Sequence, residues 1–203
     1  MRAGVPTCLT VFLGGAALTL LPAASRAEPV RRPVLVLLQT IANVRADVAA
    51  AAQAEVVRLF ALADIELVWV TRVPPPGTRL SVIALVTWEP REEKLAAVLG
   101  VTYGNHRTRA TRGYVFWPRV ERASSKFTAA LHNVLAVAIA HELGHMLLPD
   151  GAHARQGIMA APWNSEHLGW ASAGLLHFSR ETAALMTRRL SEEVPGPLTR
   201  LPE

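Results

Sequence analysis

The stretch HELGHMLLPDGAHARQGIM, residues 141–159, sets two histidines four positions apart with a glutamate beside the first. On a helix, positions i and i+4 lie one turn apart on the same face, so His141 and His145 aim ring nitrogens at one point. Glu142 is turned about 100 degrees from His141, so it borders that point without being forced into it. A carboxylate so placed can take a proton from a water and hand it to a leaving group. Zinc fits this division of labour, because it lowers the pKa of a bound water to about 7.

The residues ahead of the motif support that reading over two chance histidines on an ordinary helix. NVLAVAIA, residues 133–140, is almost wholly apolar and directs the helix into a core. Histidines buried there need partners. The spacing predicts one long helix over SSKFTAALHNVLAVAIAHELGHML, starting at a Ser124 or Ser125 cap and ending at Pro149.

Further upstream the chain alternates strand and helix signals. PVLVLLQT (33–40), IELVWVTRV (65–73) and RLSVIALVTW (79–88) read as strands, the second stopped by PPPG at 74–77. RADVAAAAQAEVVRLFALAD (45–64) places Val48, Ala52, Val56, Leu59 and Ala63 at helical spacing and reads as an amphipathic helix covering a sheet. Residues 89–112 are polar and irregular. GYVFWPRV (113–120) alternates like a strand, with Pro118 arguing for a sheet edge, where an extended peptide can pair. SRETAALMTRRL (179–190) is a second helix with Ser179 as its cap. The expected class is α+β: a mixed twisted sheet, a backing helix, the motif helix and a small C-terminal helical part.

The 203 residues suit one domain. Arg2, the apolar run CLTVFLGGAALTLLPAA and the small-x-small signal SRA ending at Ala27 read as a secretory signal peptide, residues 1–27. The run is shorter than the roughly 20 residues that cross a bilayer. The expected product is exported, periplasmic or secreted, with a domain over 28–193, a loose tail over 194–203 and no membrane span. The single cysteine, Cys8, lies in the leader, so the mature chain has neither disulfide nor thiol chemistry. Loss of Arg2 and Arg26 leaves 19 basic against 16 acidic residues, a net charge of +3. That is too mild to argue for nucleic acid.

HELGH, a following histidine and GIM together resemble the metzincin zinc metalloproteases, which carry HExxHxxGxxH and then a tight turn with a methionine beneath the metal. The resemblance implies a zinc cofactor, a peptide or protein substrate, Glu142 as general base and acid, and Met159 as an apolar floor. It also implies that Pro162 and Trp163 line the pocket beyond the scissile bond. The pattern departs from the family at two places. Leu148 stands where the glycine belongs and Gly151 where the third histidine belongs, and the histidine comes two residues later, at His153. Pro149, Asp150 and Gly151 can supply the turn instead.

His153 is therefore the expected third ligand, because imidazole is the commonest partner for zinc in such a set. Asp150 is the alternative, by similarity to small bacterial proteases of the snapalysin type that use an aspartate after LPD. Glu166 (by similarity to gluzincins) and His167 are more distant candidates, read here as surface or capping residues. Gly157 can form the tight turn before Met159. Some metzincins place an oxyanion-stabilising tyrosine two residues after the methionine, where this chain has Ala161, and Tyr103 and Tyr114 both lie upstream. His106 with Arg107, Arg109 and Arg112 reads as a solvated basic loop, and His132 as structural.

Overall fold

Short apolar runs rich in Val and Leu build the sheet, as their composition predicts. The computed structural model describes residues 33–75, 80–89, 98–103, 110–148 and 153–192. Residues 1–27, 194–203, Asp150 and His106, Arg107 and Arg109 of the expected basic loop lie outside them, whereas Arg112, expected in that loop, belongs to a strand because it pairs with Val82 and Tyr103. The strands are β1 (Val34–Thr40), β2 (Leu67–Val70), β3 (Leu80–Val86), β4 (Gly100–Tyr103) and β5 (Ala110–Phe116). They form one five-stranded sheet in the order β2-β1-β3-β5-β4. All neighbours are parallel except β4, which pairs antiparallel with β5.

Five helices complete the described residues: α1 (Ala46–Ala61), α2 (Trp117–Phe127), α3 (Leu131–Leu147), α4 (Ser165–Ser172) and α5 (Arg180–Glu192). The class is α+β, as expected. Helix α1 crosses between the parallel strands β1 and β2 and buries Ala52, Val56, Leu59 and Phe60. Helix α3 packs on α1 and on β3, β4 and β5, with α2, α4 and α5 also against it. It buries residues around its whole circumference, Val134 through Leu147 with few exceptions. A helix enclosed on all sides needs no amphipathic stripe. The alanines at 136, 138 and 140 keep it slim enough for that packing.

Three expectations need correction. The long helix over residues 124–147 is two helices. Ser124 and Ser125 end α2, and Thr128 closes it with a left-handed φ of 52°. Helix α3 then starts without a side-chain cap of its own, and its Ala130 N–H donates to Ser172 Oγ of α4 at 2.8 Å. Second, GYVFWPRV is not an edge strand, because β5 lies between β3 and β4. Pro118 sits in the first turn of α2, where its missing N–H costs no helix bond. Third, the supposedly irregular residues 89–112 contain β4, and that short strand forms the edge.

Arg119 ties this edge to the rest. Its side chain is buried, pairs with Glu89 at 2.9 Å and donates to the Val98 carbonyl just before β4 at 2.7 Å. Arg122 and then Arg119 hold the Glu89 carboxyl down at about 2. The C-terminal part docks through Phe178, edge-on to Phe60 at 5.0 Å. It is also held by Arg189, which donates to the Leu148 carbonyl at 2.7 Å. Among the described residues, no helix is long and apolar enough to cross a membrane.

Because α3 is enclosed, Leu135→Ala, at a fully buried position, should cost about 2–5 kcal/mol in chemical denaturation.

Candidate metal centre

His141 and His145 project from the last two turns of α3, as their spacing predicts, and the chain beyond the helix returns a third imidazole to them. The ring nitrogens of His141, His145 and His153 all lie within 4.8 Å of one another. The ring centroids are 4.6 Å apart for His141–His145, 5.3 Å for His141–His153 and 4.9 Å for His145–His153. His153 is exposed and the other two are half-buried, so the group opens to solvent on one side.

The donor set suits a metal ion. His141 Nδ1 lies 2.8 Å from the Ile158 carbonyl, which only accepts, so Nδ1 carries the proton and Nε2 presents a lone pair. That lone pair faces His145 Nε2 at 3.0 Å. Burial first, with the neighbouring His145 and His153 adding to it, pushes the His141 pKa down to about 4. A second proton is therefore disfavoured there, and the two nitrogens, hydrogen-bonded to each other here, are placed so that a shared cation could take the place of that bond. Two ligands of one zinc, each about 2.1 Å from it, lie within about 4.2 Å of each other. The 3.0 Å pair meets that limit.

Two details of the chain place this geometry. Gly157, at φ 74°, makes the turn ahead of Met159, and any Cβ there would collide with the His177 carbonyl. The turn carries Ile158, whose carbonyl also accepts from Trp163 Nε1 at 3.2 Å. Trp163 stands edge-on to His141 at 5.3 Å, so the indole and the imidazole share one anchor. Met159 is fully buried, and its Sδ rests on Gly144, within the helical turn between the two histidines. Only a glycine admits the thioether so close.

Glu142 stands outside the histidine group. It is 3 % exposed, and its carboxyl lies beneath β4, where Thr102 Oγ1 donates to Oε2 at 2.7 Å. Desolvation pushes its pKa up to about 8, against the lowering effect of the Thr102 bond.

The other candidates fall elsewhere. His167 and Asn164 cap α4 reciprocally, which is the capping role expected for His167, and Glu166 lies exposed in the first turn of that helix. Asp150 is outside the described residues. Sequence reasoning missed Thr102 and the Ile158 carbonyl. Val101, Thr102 and Tyr103 are strand-prone residues and were the available signal for β4. A backbone carbonyl leaves no signal at all.

Comparison with protein-family models finds no family that matches the chain, and comparison with curated proteins finds no relative that it matches.

Two measurements probe this geometry. Gly144→Ala should push Met159 out of place, costing about 1–3 kcal/mol on denaturation and weakening metal binding in a titration. In the metal-free protein the Glu142 contribution to stability is full below about pH 4.5 and is lost as pH rises through about 8. The His141 contribution has the opposite sense: full above about 6.5 and lost as pH falls through about 4. Stability should therefore fall between pH 6.5 and 8, by up to about 1.4 kcal/mol per pH unit, and Glu142→Gln should remove that slope.

Proposed function

We propose that this chain is an exported zinc metallopeptidase of metzincin-like build that hydrolyses peptide bonds. The observation that carries the reading is the convergence of His153 on the HExxH pair, with a carboxyl group alongside that stays out of the ligand set. His141, His145 and His153 would hold the ion. Bound zinc supplies a Lewis acid and acidifies water to a pKa of about 7.

The chain's own residues do the rest. The Ile158 carbonyl keeps His141 in the tautomer that offers Nε2. Glu142 takes a proton at its carboxyl and returns it to the leaving amine. Met159 gives the histidines a dry, apolar floor. Among the described residues β4 is an edge strand, which would offer its backbone groups to an extended peptide, a role that the chain pattern had suggested for residues 113–118. Thr102 links that edge directly to Glu142. Export rests on the leader-like residues 1–27 and the absence of cysteine after them. Ala161 stands where related enzymes place a tyrosine, so backbone groups and the Lewis acid carry oxyanion stabilisation.

Zinc-loaded protein over residues 28–203 should cleave members of a mixed peptide pool. Glu142→Ala should abolish cleavage with zinc retained. Absence of any cleavage by zinc-loaded protein would replace this reading with a non-catalytic zinc-binding domain for protein interaction. His153→Ala should weaken zinc binding by far more than Asp150→Ala, measured by competition with a chelator. The reverse order would make Asp150 the third ligand.

A further inference from the structure

Gly100 and Thr102 are two apart on β4, so both face α3. Each meets one oxygen of the same carboxylate. Thr102 Oγ1 donates to Glu142 Oε2 at 2.7 Å and also lies 3.1 Å from the Glu142 backbone carbonyl. A Cβ on Gly100 would stand 2.6 Å from Oε1, 2.9 Å from the carboxyl carbon and 2.7 Å from the Tyr114 carbonyl of β5, so the bare Cα makes room both for Oε1 and for the neighbouring strand. Gly113 pairs with Thr102 across β4 and β5. A Cβ there would lie 2.9 Å from Met146 Cε and 3.2 Å from Glu142 Cβ, so its absence lets α3 come close enough for these contacts.

A glutamate side chain has three rotatable bonds, and a base aimed at a water loses efficiency when its oxygens wander. We propose that Thr102 and Gly100 are positioning residues for Glu142, a two-point seat on the edge strand that fixes the carboxyl beside the histidine group. Thr102 holds Oε2 through its hydroxyl. Gly100 supplies the space that lets Oε1 sit there. The seat couples the substrate-pairing edge to the proton-transfer group, because one four-residue strand carries both. This inference rests on the role proposed for Glu142.

Thr102→Val removes the hydroxyl and keeps the shape, and Thr102→Ser keeps the hydroxyl. With zinc-loaded protein, Thr102→Val should lower kcat about 10- to 100-fold, the range for loss of a hydrogen-bond partner of an active-site group. KM and zinc affinity should stay at wild-type values, and Thr102→Ser should recover most of kcat. Gly100→Ala should also lower kcat with zinc affinity kept. Melting temperatures of the metal-free protein supply a readout independent of turnover. Thr102→Val should lower Tm more in the wild-type background than in Glu142→Ala, where only the contact with the backbone carbonyl of residue 142 remains for the hydroxyl. Wild-type kcat in Thr102→Val, or a loss confined to KM or zinc affinity, would overturn the proposal. Equal Tm shifts in the two backgrounds would also overturn it. If the wild-type protein cleaves no peptide, the peptidase reading falls while the Tm cycle alone decides whether Thr102 seats Glu142.

Discussion

A polar motif at the end of a helix that is buried over most of its circumference is the constraint on which this structure turns. Helix α3 is wrapped by the sheet, α1 and the C-terminal helices, so His141 and Glu142 are drawn out of water along with the leucines around them. Buried polar groups must find partners, and each of these finds one from a distant segment. Ile158 answers His141 and Thr102 answers Glu142. The two groups shift in ways set by the same burial, the imidazole towards neutrality and the carboxyl towards its acid form. A neutral imidazole can ligate a metal ion, so the desolvation that costs stability also keeps His141 in the form that binds one.

Close backbone approach is the second theme. Met159 reaches the helix only over Gly144, the edge strand reaches Glu142 only over Gly100, and α3 reaches β5 only over Gly113. Each glycine removes a methyl-sized obstacle where two elements meet around the motif. The site is thus assembled from three separate segments: the helix, the edge strand and the turn at 157–159. Its exposed member, His153, lies on the side of the group that opens to solvent.

Much of the fold was legible because its signals are local. β1, β2 and β3 fall inside the apolar runs, and α1 inside the stretch with helical periodicity. Ser179 Oγ accepts from the Thr182 N–H, as a cap before α5 should. The failures have separate causes. The break between α2 and α3 depends on a left-handed Thr128 and a cap from Ser172, more than forty residues on. Pro118 signalled an edge, yet it belongs to a helix start, because proline suits both. β4 is four residues long and antiparallel, too short for its alternation to stand out of a polar stretch.

The amino-acid sequence by itself determined the α+β class, the face shared by His141 and His145, and Glu142 as the carboxylate beside them. Those follow from helical geometry and apolar periodicity, which act over a few residues. Only the tertiary structure decided that His153 closes on the pair, that β4 rather than β5 is the edge, and that Thr102 and Ile158 hold the two central side chains. These are contacts between segments far apart in the chain. Packing sets them through which backbones can approach, and no local pattern records that.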